Sequence, residues 1–330
     1  MRNSVILSSG MHVPEQVYTN QYFNDLLGED VDTWLRENVQ IYERRWCNEE
    51  ESVADLCVAA AEKALAEGDL KATDLDLLII ATDTPEYISP STASKVQHRL
   101  GAVNAGTFDV NTACAGFVTA LDIASKYIRS DEQYNKVMII GAYAMSKYLN
   151  MQDKKTVTLF ADGAAAFVLG ADTSDSGKGF LASELTTKGE YADWMGIYAG
   201  ATKTPTTAAV VAENDHKLKI LQRFPSELNP EMWSQLALNL CKRVGVEPHQ
   251  VDHFFLTQIN INSIQATMDR LGLPMSKTTT VMHNYGYTGS ACIPMAYEKA
   301  KKNGKIKEGD LVMFIGSGGG LSFGAVAFRL

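Results

Sequence analysis

Cys114 stands in Asp109-Val110-Asn111-Thr112-Ala113-Cys114-Ala115-Gly116-Phe117, where a strand-like stretch gives way to a long helical pattern. A cysteine at such a junction faces the unpaired N–H groups and the positive end of the helix dipole, which lower a thiol's pKa. The chemistry this suits is nucleophilic attack on an acyl carbonyl, and the small neighbours give a thioester room to approach the backbone. A cysteine among small residues also reads as packing, and the local sequence leaves both readings open. A second candidate is Gly316-Ser317-Gly318-Gly319-Gly320-Leu321-Ser322, after a strand. It lacks the lysine of a phosphate-binding P-loop and is followed by a strand pattern rather than a helix. Its two readings are a backbone loop whose N–H groups face a carbonyl oxygen, as in an oxyanion hole, and a tight hairpin turn.

Other chemistries recede. The five cysteines (Cys47, Cys57, Cys114, Cys241, Cys292) are odd in number, widely spaced and without a CxxC pair, which argues against disulfides and a structural zinc site. Thirty basic residues against 39 acidic ones give a net charge of −9 without a Lys/Arg cluster, so nucleic acid is not the expected partner. The opening apolar run is too short for a signal-peptide core, and no stretch approaches the roughly 18 to 20 apolar residues of a membrane span. A cytoplasmic protein is expected.

The elements that must position these residues form an internal echo. Residues 75–82 (LDLLIIAT) read as a buried strand followed by a loop and the helix STASKVQHRLG. Residues 251–257 (VDHFFLT) again read as a strand, followed by a helix ending in MDRLG. Each Arg-Leu-Gly leads to another strand, a small-residue turn and a helix, GTFDVNTACAGFVTALDIASKYI in one half and TTTVMHNYGYTGSACIPMAYEKA in the other. Each half then gives a hydrophobic strand, glycine-rich sequence and a last strand. Alternating strands and helices imply βα units with right-handed crossovers and buried sheets. Two α/β halves are expected, residues 1–172 with the cysteine and 173–330 with the glycine-rich loop, divided near 171–180. Residues 199–216, rich in Ala and Thr, read as a surface excursion. Strand-loop-helix order also recurs by chance in α/β proteins; four matched elements in one order favour duplication.

FDVNTACAGF, TDTPEYISPSTASKVQHRLG, LFADGAAAFVLG and GSGGGLSFGAVAFRL together resemble β-ketoacyl-acyl-carrier-protein synthase III, of the thiolase superfamily, over nearly the whole chain. The resemblance implies a thiolase-like, duplicated five-layered αβαβα fold, a homodimer, and an acyltransferase of fatty acid or polyketide biosynthesis. It implies no cofactor beyond a CoA or phosphopantetheine thioester as substrate, with acyl-CoA or acyl-carrier protein as partner. Cys114 becomes the acyl-accepting nucleophile, and the N–H groups of Cys114 and Gly319 the oxyanion hole. In that family a malonyl thioester then loses CO₂, its oxygen held by a histidine and an asparagine. Here Thr257 occupies the histidine position, in Thr257-Gln258-Ile259-Asn260, and Tyr287 the asparagine position, in Gly286-Tyr287-Thr288-Gly289. His253 and His283 each lie four residues from the altered position, about 13 Å along an extended strand, too far to substitute. Thr257 and Tyr287 each retain a hydroxyl donor.

By the same resemblance, Trp34 stacks on the CoA adenine, Lys154 and Asn38 replace arginines of the nucleotide clamp, and Asn262 replaces a basic residue that docks the carrier protein. Asn260 is counted among the substrate-binding positions. Ser89 takes the place of a bulky residue at the end of the acyl pocket. Two acceptor chemistries follow: decarboxylative condensation with a malonyl thioester, or direct transfer to an alcohol, amine or thiol. The second wants a general base, and none is visible at positions 257 and 287. A further alternative is a partner subunit of a heteromeric synthase.

Overall fold

A computed structural model describes residues 2–174 and 176–330; Asp175, within the stretch read as the boundary between halves, lies outside the described residues. One sheet contains β1 (Asn3–His12), β2 (Leu77–Ala81), β3 (Gly106–Val110), β4 (Lys136–Ala144) and β5 (Asp162–Asp172), in the order β1-β5-β4-β2-β3. The other contains β6 (Gly179–Thr187), β7 (His253–Leu256), β8 (Leu311–Gly318) and β9 (Ser322–Arg329), in the order β6-β9-β8-β7. In the first sheet β1/β5 and β5/β4 are antiparallel, while β4/β2 and β2/β3 are parallel. In the second, β6/β9 and β9/β8 are antiparallel and β8/β7 is parallel. Four strands of the first sheet are therefore repeated in the second, in the same order and orientation.

The repeat breaks at one edge. Where the first sheet has β3, the expected strand over 278–281 shrinks to a single parallel bridge between Phe254 and Thr278. Side chains take the place of the ladder: Thr278 Oγ1 donates to the Phe254 carbonyl at 2.9 Å, and the Val281 N–H donates to Gln258 Oε1 at 2.9 Å. The chain then turns into a short helix, Met282–Tyr285.

Six helices complete the layers: α1 (Val53–Glu67), α2 (Thr92–Leu100), α3 (Gly116–Ser130), α4 (Leu228–Val244), α5 (Ile261–Arg270) and α6 (Cys292–Lys302). Helices α3 and α6 touch strands of both sheets and form the central layer. Helices α1 and α2 cover the outer face of the first sheet, and α4, with α5 against it, covers the second. This is the duplicated αβαβα arrangement that the resemblance implies.

Local sequence explains the elements. The run LLIIA of β2 is buried at every position, as a strand covered by helices on both faces must be. The ends of α1 and α2 are set by polar caps: Ser52 and Asp55 form a capping box, and Ser91 Oγ accepts from the Ser94 N–H at 3.3 Å. The repeated Arg-Leu-Gly is one helix stop used twice, with Gly101 at φ 72° and Gly272 at φ 67°. Residues 199–216 are mostly exposed and include a short helix, Ala208–Ala212. No helix among the described residues is long and apolar enough to cross a membrane.

Candidate active site

The carboxyl ends of β2, β3 and β4 lie side by side, and Cys114 follows β3 in a tight turn into α3. Ala113, immediately before it, is held at φ +45°, a conformation that non-glycine residues rarely adopt. The turn is secured by hydrogen bonds from the Ala113 N–H to Asn111 Oδ1 at 3.0 Å, from the Ala115 N–H to the Thr112 carbonyl at 3.1 Å, and from the Gly116 N–H to the Ala113 carbonyl at 2.9 Å. Such strain persists only where the surroundings over-determine it, and it is concentrated at functional sites.

The glycine-rich segment closes on this turn from the other half. It is a hairpin, with Gly318 paired to Ser322, and it also abuts the cysteine. A Cβ on Gly318 would sit 2.3 Å from the Thr112 carbonyl oxygen and 2.6 Å from the Cys114 nitrogen, which leaves glycine as the residue that fits. At Gly319 an added Cβ would meet nothing closer than the Met195 carbonyl oxygen at 3.5 Å.

The expected lowering of the Cys114 pKa is overturned. Cys114 is buried, and burial pushes its thiol well above the ordinary value, with the Asp83 carboxylate adding to the rise. A helix end carries about half a charge, too little to offset removal from water beside an anion. The hydrogen bond from Tyr287 acts the other way. Tyr287 is itself buried, its backbone fixed by hydrogen bonds from its N–H to the Leu159 carbonyl and from the Ala161 N–H to its own carbonyl, both at 2.9 Å. Gly289, two residues on, has φ 49°, and a Cβ there would lie 2.4 Å from the Tyr143 ring. Tyr287 and Tyr143 are thereby packed around the sulfur.

Thr257 behaves differently. Its Oγ1 accepts from the Ser317 N–H at 3.0 Å and lies 3.5 Å from the Ser317 carbonyl oxygen, so this hydroxyl splices the end of β7 to β8. Of the two retained hydroxyls, Tyr287 faces the Cys114 thiol and Thr257 serves the sheet. Neither nearby histidine substitutes. His253 Nε2 lies 2.9 Å from Thr279 Oγ1, and burial, aided by Lys305 and Lys277, depresses it to about 4. His283 is held between Thr280 Oγ1 at 2.8 Å and the Gln40 carbonyl at 2.7 Å, on a cleft of about 370 Å³ that Cys114 does not line.

The outlying positions fall on the surface. Trp34 is 52% exposed, and Asn38 and Asn262 join it through hydrogen bonds from Asn38 Nδ2 to the Trp34 carbonyl at 3.0 Å and from Asn262 Nδ2 to the Asn38 carbonyl at 2.7 Å. Lys154 is paired with Glu29 at 2.8 Å, which leaves its charge already engaged. Asn260 Oδ1 accepts from the Ser263 N–H at 2.8 Å and caps α5. Ser89 is exposed beside Tyr87 and Ile88, outside the interior around Cys114. Earlier in the same loop, Glu86 is tied to Lys95 at 2.5 Å and to the Ala54 N–H at 3.3 Å.

Asp83, Tyr143 and Cys292 also belong to the electrostatic neighbourhood of Cys114, and sequence reasoning did not single out any of them as site residues. Asp83 lies within the quoted segment TDTPEYISPSTASKVQHRLG. The signal available was an ionisable residue two positions past a wholly apolar strand.

Comparison with known proteins agrees with this architecture. The family model for 3-oxoacyl-[acyl-carrier-protein (ACP)] synthase III matches residues 108–189, and the model for its C-terminal part matches residues 241–330. The chain is 35% identical to a β-ketoacyl-[acyl-carrier-protein] synthase III of Clostridioides difficile, covering 97% of this chain and 96% of the relative. It is 34% identical to that of Natranaerobius thermophilus over the full length of both. The crystal structure of 3-oxoacyl-[acyl-carrier-protein] synthase III from Aquifex aeolicus superposes with a TM-score of 0.90 at 31% identity, covering 99% of this chain and all of that one.

Proposed function

Because the chain belongs to the β-ketoacyl-[acyl-carrier-protein] synthase III family, with its thiolase-like fold, we propose that it is an acyltransferase that carries its acyl group on Cys114. The observation that carries this reading is the strained turn at Cys114, locked by Gly318 from one side and met by Tyr287 from another. The thiol attacks the carbonyl of a CoA or carrier-protein thioester, the donor thiol leaves, and the N–H groups of Cys114 and Gly319 hold the oxyanion. A malonyl thioester then loses CO₂, and the resulting carbanion attacks the acyl-enzyme to give a 3-oxoacyl product. In this reading Tyr287 is the hydrogen-bond donor for that half-reaction. Loss of one oxyanion donor typically costs about two to three orders of magnitude, so decarboxylation with a single neutral hydroxyl is slow.

That cost favours a second reading, transfer of the acyl group to an alcohol, amine or thiol without decarboxylation. The supporting observation is Thr257, whose hydroxyl is spent on Ser317. Trp34 and its asparagine neighbours form the docking surface for the donor, with a weak hold on its phosphates because Lys154 is already paired. The protein acts as a homodimer in the cytoplasm on this reading, which sedimentation of the purified chain tests.

The decisive experiment is intact-mass spectrometry after mixing with a panel of acyl-CoAs. An acyl adduct that forms on the wild type and not on Cys114→Ala supports the assignment; no adduct with any donor sinks it. Adding malonyl-carrier protein to the acylated enzyme and collecting CO₂ separates condensation from direct transfer.

A further inference from the structure

Asp83 is a charged group that the backbone around it positions with care and the side chains around it leave alone. It follows β2 between two threonines. The Thr82 N–H donates to the Val110 carbonyl at 3.1 Å, the Thr84 N–H donates to Thr82 Oγ1 at 3.1 Å, and the Ala144 N–H donates to Thr84 Oγ1 at 2.9 Å. Ser290 Oγ is shared between the Ala81 carbonyl at 2.9 Å and the Ala142 carbonyl at 2.8 Å, tying β2 and β4 to the turn that begins α6. The peptide on either side of Asp83 is thus fixed from β3, β4 and the opposite half of the molecule. The carboxylate receives nothing comparable: the residue is half-buried, and its Oδ1 is sealed from solvent without a hydrogen-bond partner. Such an orphan oxygen is uncommon in folded proteins and calls for an account: a bound water or ion, stored strain, or a catalytic role.

The groups that feel its charge are Cys114 before α3, Tyr143 at the end of β4 and Tyr148 just beyond; Tyr287 and Cys292 complete the cluster from the second half. No cation among the described residues pairs with Asp83. Burial raises it to about 6, so it is ionised at neutral pH and still basic enough to take a proton. Around it, the thiol is held protonated by burial, and Tyr287 is a neutral donor that cannot serve as the acceptor.

We propose that Asp83 is the base of acyl loading: through one bridging water its carboxylate takes the Cys114 proton as Sγ bonds to the thioester carbonyl, and returns that proton to the donor's departing thiolate. One carbon–sulfur bond forms, one breaks, and the carboxylate ends as it began. The assignment rests on the reading of Cys114 as the acyl acceptor.

The test is single-turnover loading from acyl-CoA, followed by quenched intact-mass spectrometry between pH 5 and 8. The wild-type rate is expected to climb through an inflection near 6 and then level off. Asp83→Asn is expected to load about 10²- to 10⁴-fold more slowly and to lose that inflection, with an unchanged far-ultraviolet circular dichroism spectrum. Loading by Asp83→Asn at the wild-type rate with the same profile overturns the role of Asp83 while leaving acyl-Cys114 intact. A wild-type rate independent of pH over this range overturns it without recourse to the variant. Absence of any wild-type adduct removes the nucleophile assignment and this one together.

Discussion

The two halves of the molecule share a strand order and differ in what they keep at the strand ends. In the first half, the chain after β3 is a strained, hydrogen-bonded turn that presents Cys114, and the chain after β2 presents an unpartnered carboxylate. In the second half, the chain after β7 has turned inward: Thr257 splices β7 to β8, Gln258 is buried and bonded to the Leu256 carbonyl and the Val281 N–H, and Asn260 caps α5. The same fold thus leaves a strained turn and an unpartnered carboxylate at one set of strand ends and structural bonding at the other. Position on the scaffold makes a residue available; its hydrogen bonds decide whether it is spent.

Four changes press on that contrast, from the largest effect to the smallest. Cys114→Ala is expected to abolish acyl-adduct formation, since Cys114 is the cysteine that the strained turn beside Gly318 presents. An adduct that persists in this variant, located by peptide mapping, would move the nucleophile elsewhere. Tyr287→Phe removes the hydrogen bond that opposes the rise of the Cys114 thiol, so alkylation by iodoacetamide at pH 8 slows, and product formation from the acyl-enzyme falls by about 10²-fold. Unchanged rates in both assays would return Tyr287 to the ranks of packing residues.

The third change concerns stability. Because burial raises Asp83 in the folded state, its stabilising contribution is complete below pH 4 and is lost as pH rises through about 6. Asp83→Asn is therefore expected to be the more stable protein at pH 8, by on the order of 1 to 3 kcal/mol, with the gap to wild type closing toward pH 4. Thermal melts of the two proteins across that range check it, and a gap that does not depend on pH would mean the carboxylate carries no such penalty. The smallest catalytic effect is expected from Thr257→Val. It leaves the Ser317 N–H without its acceptor and costs about 1 to 2 kcal/mol of stability, while loading of Cys114 stays within about tenfold of wild type. A loss of loading comparable to that of Tyr287→Phe would restore Thr257 to the reacting centre.

Much of the architecture is legible along the chain because it depends on local periodicity. The apolar runs of β2, β4, β5 and β8, the caps of α1 and α2, and the paired helix stops at Gly101 and Gly272 are all short-range features. The strand expected over 278–281 is where this fails. Three threonines have high strand propensity, but here the side chains of Thr278 and Thr279 bond to Phe254 and His253 and that of Thr280 to His283, in place of the ladder that a strand would have made. The repeated Arg-Leu-Gly also teaches restraint. It is explained by capping alone, and the duplication stands on sheet order instead.

The sequence by itself determined the candidate nucleophile, the strand-to-helix junction it sits in, the glycine-rich segment, and the two positions where the expected donors are replaced. What only the tertiary structure decided is the state and employment of those groups. The Cys114 thiol is protonated because packing removes it from water next to Asp83, 31 positions earlier in the chain. Thr257 is occupied because Ser317, 60 residues away, lies across the sheet from it, whereas Tyr287 is free to meet the sulfur. Protonation and hydrogen bonding depend on what is brought within a few ångströms in space. Residue types at a given spacing carry no record of that until the two halves close on each other.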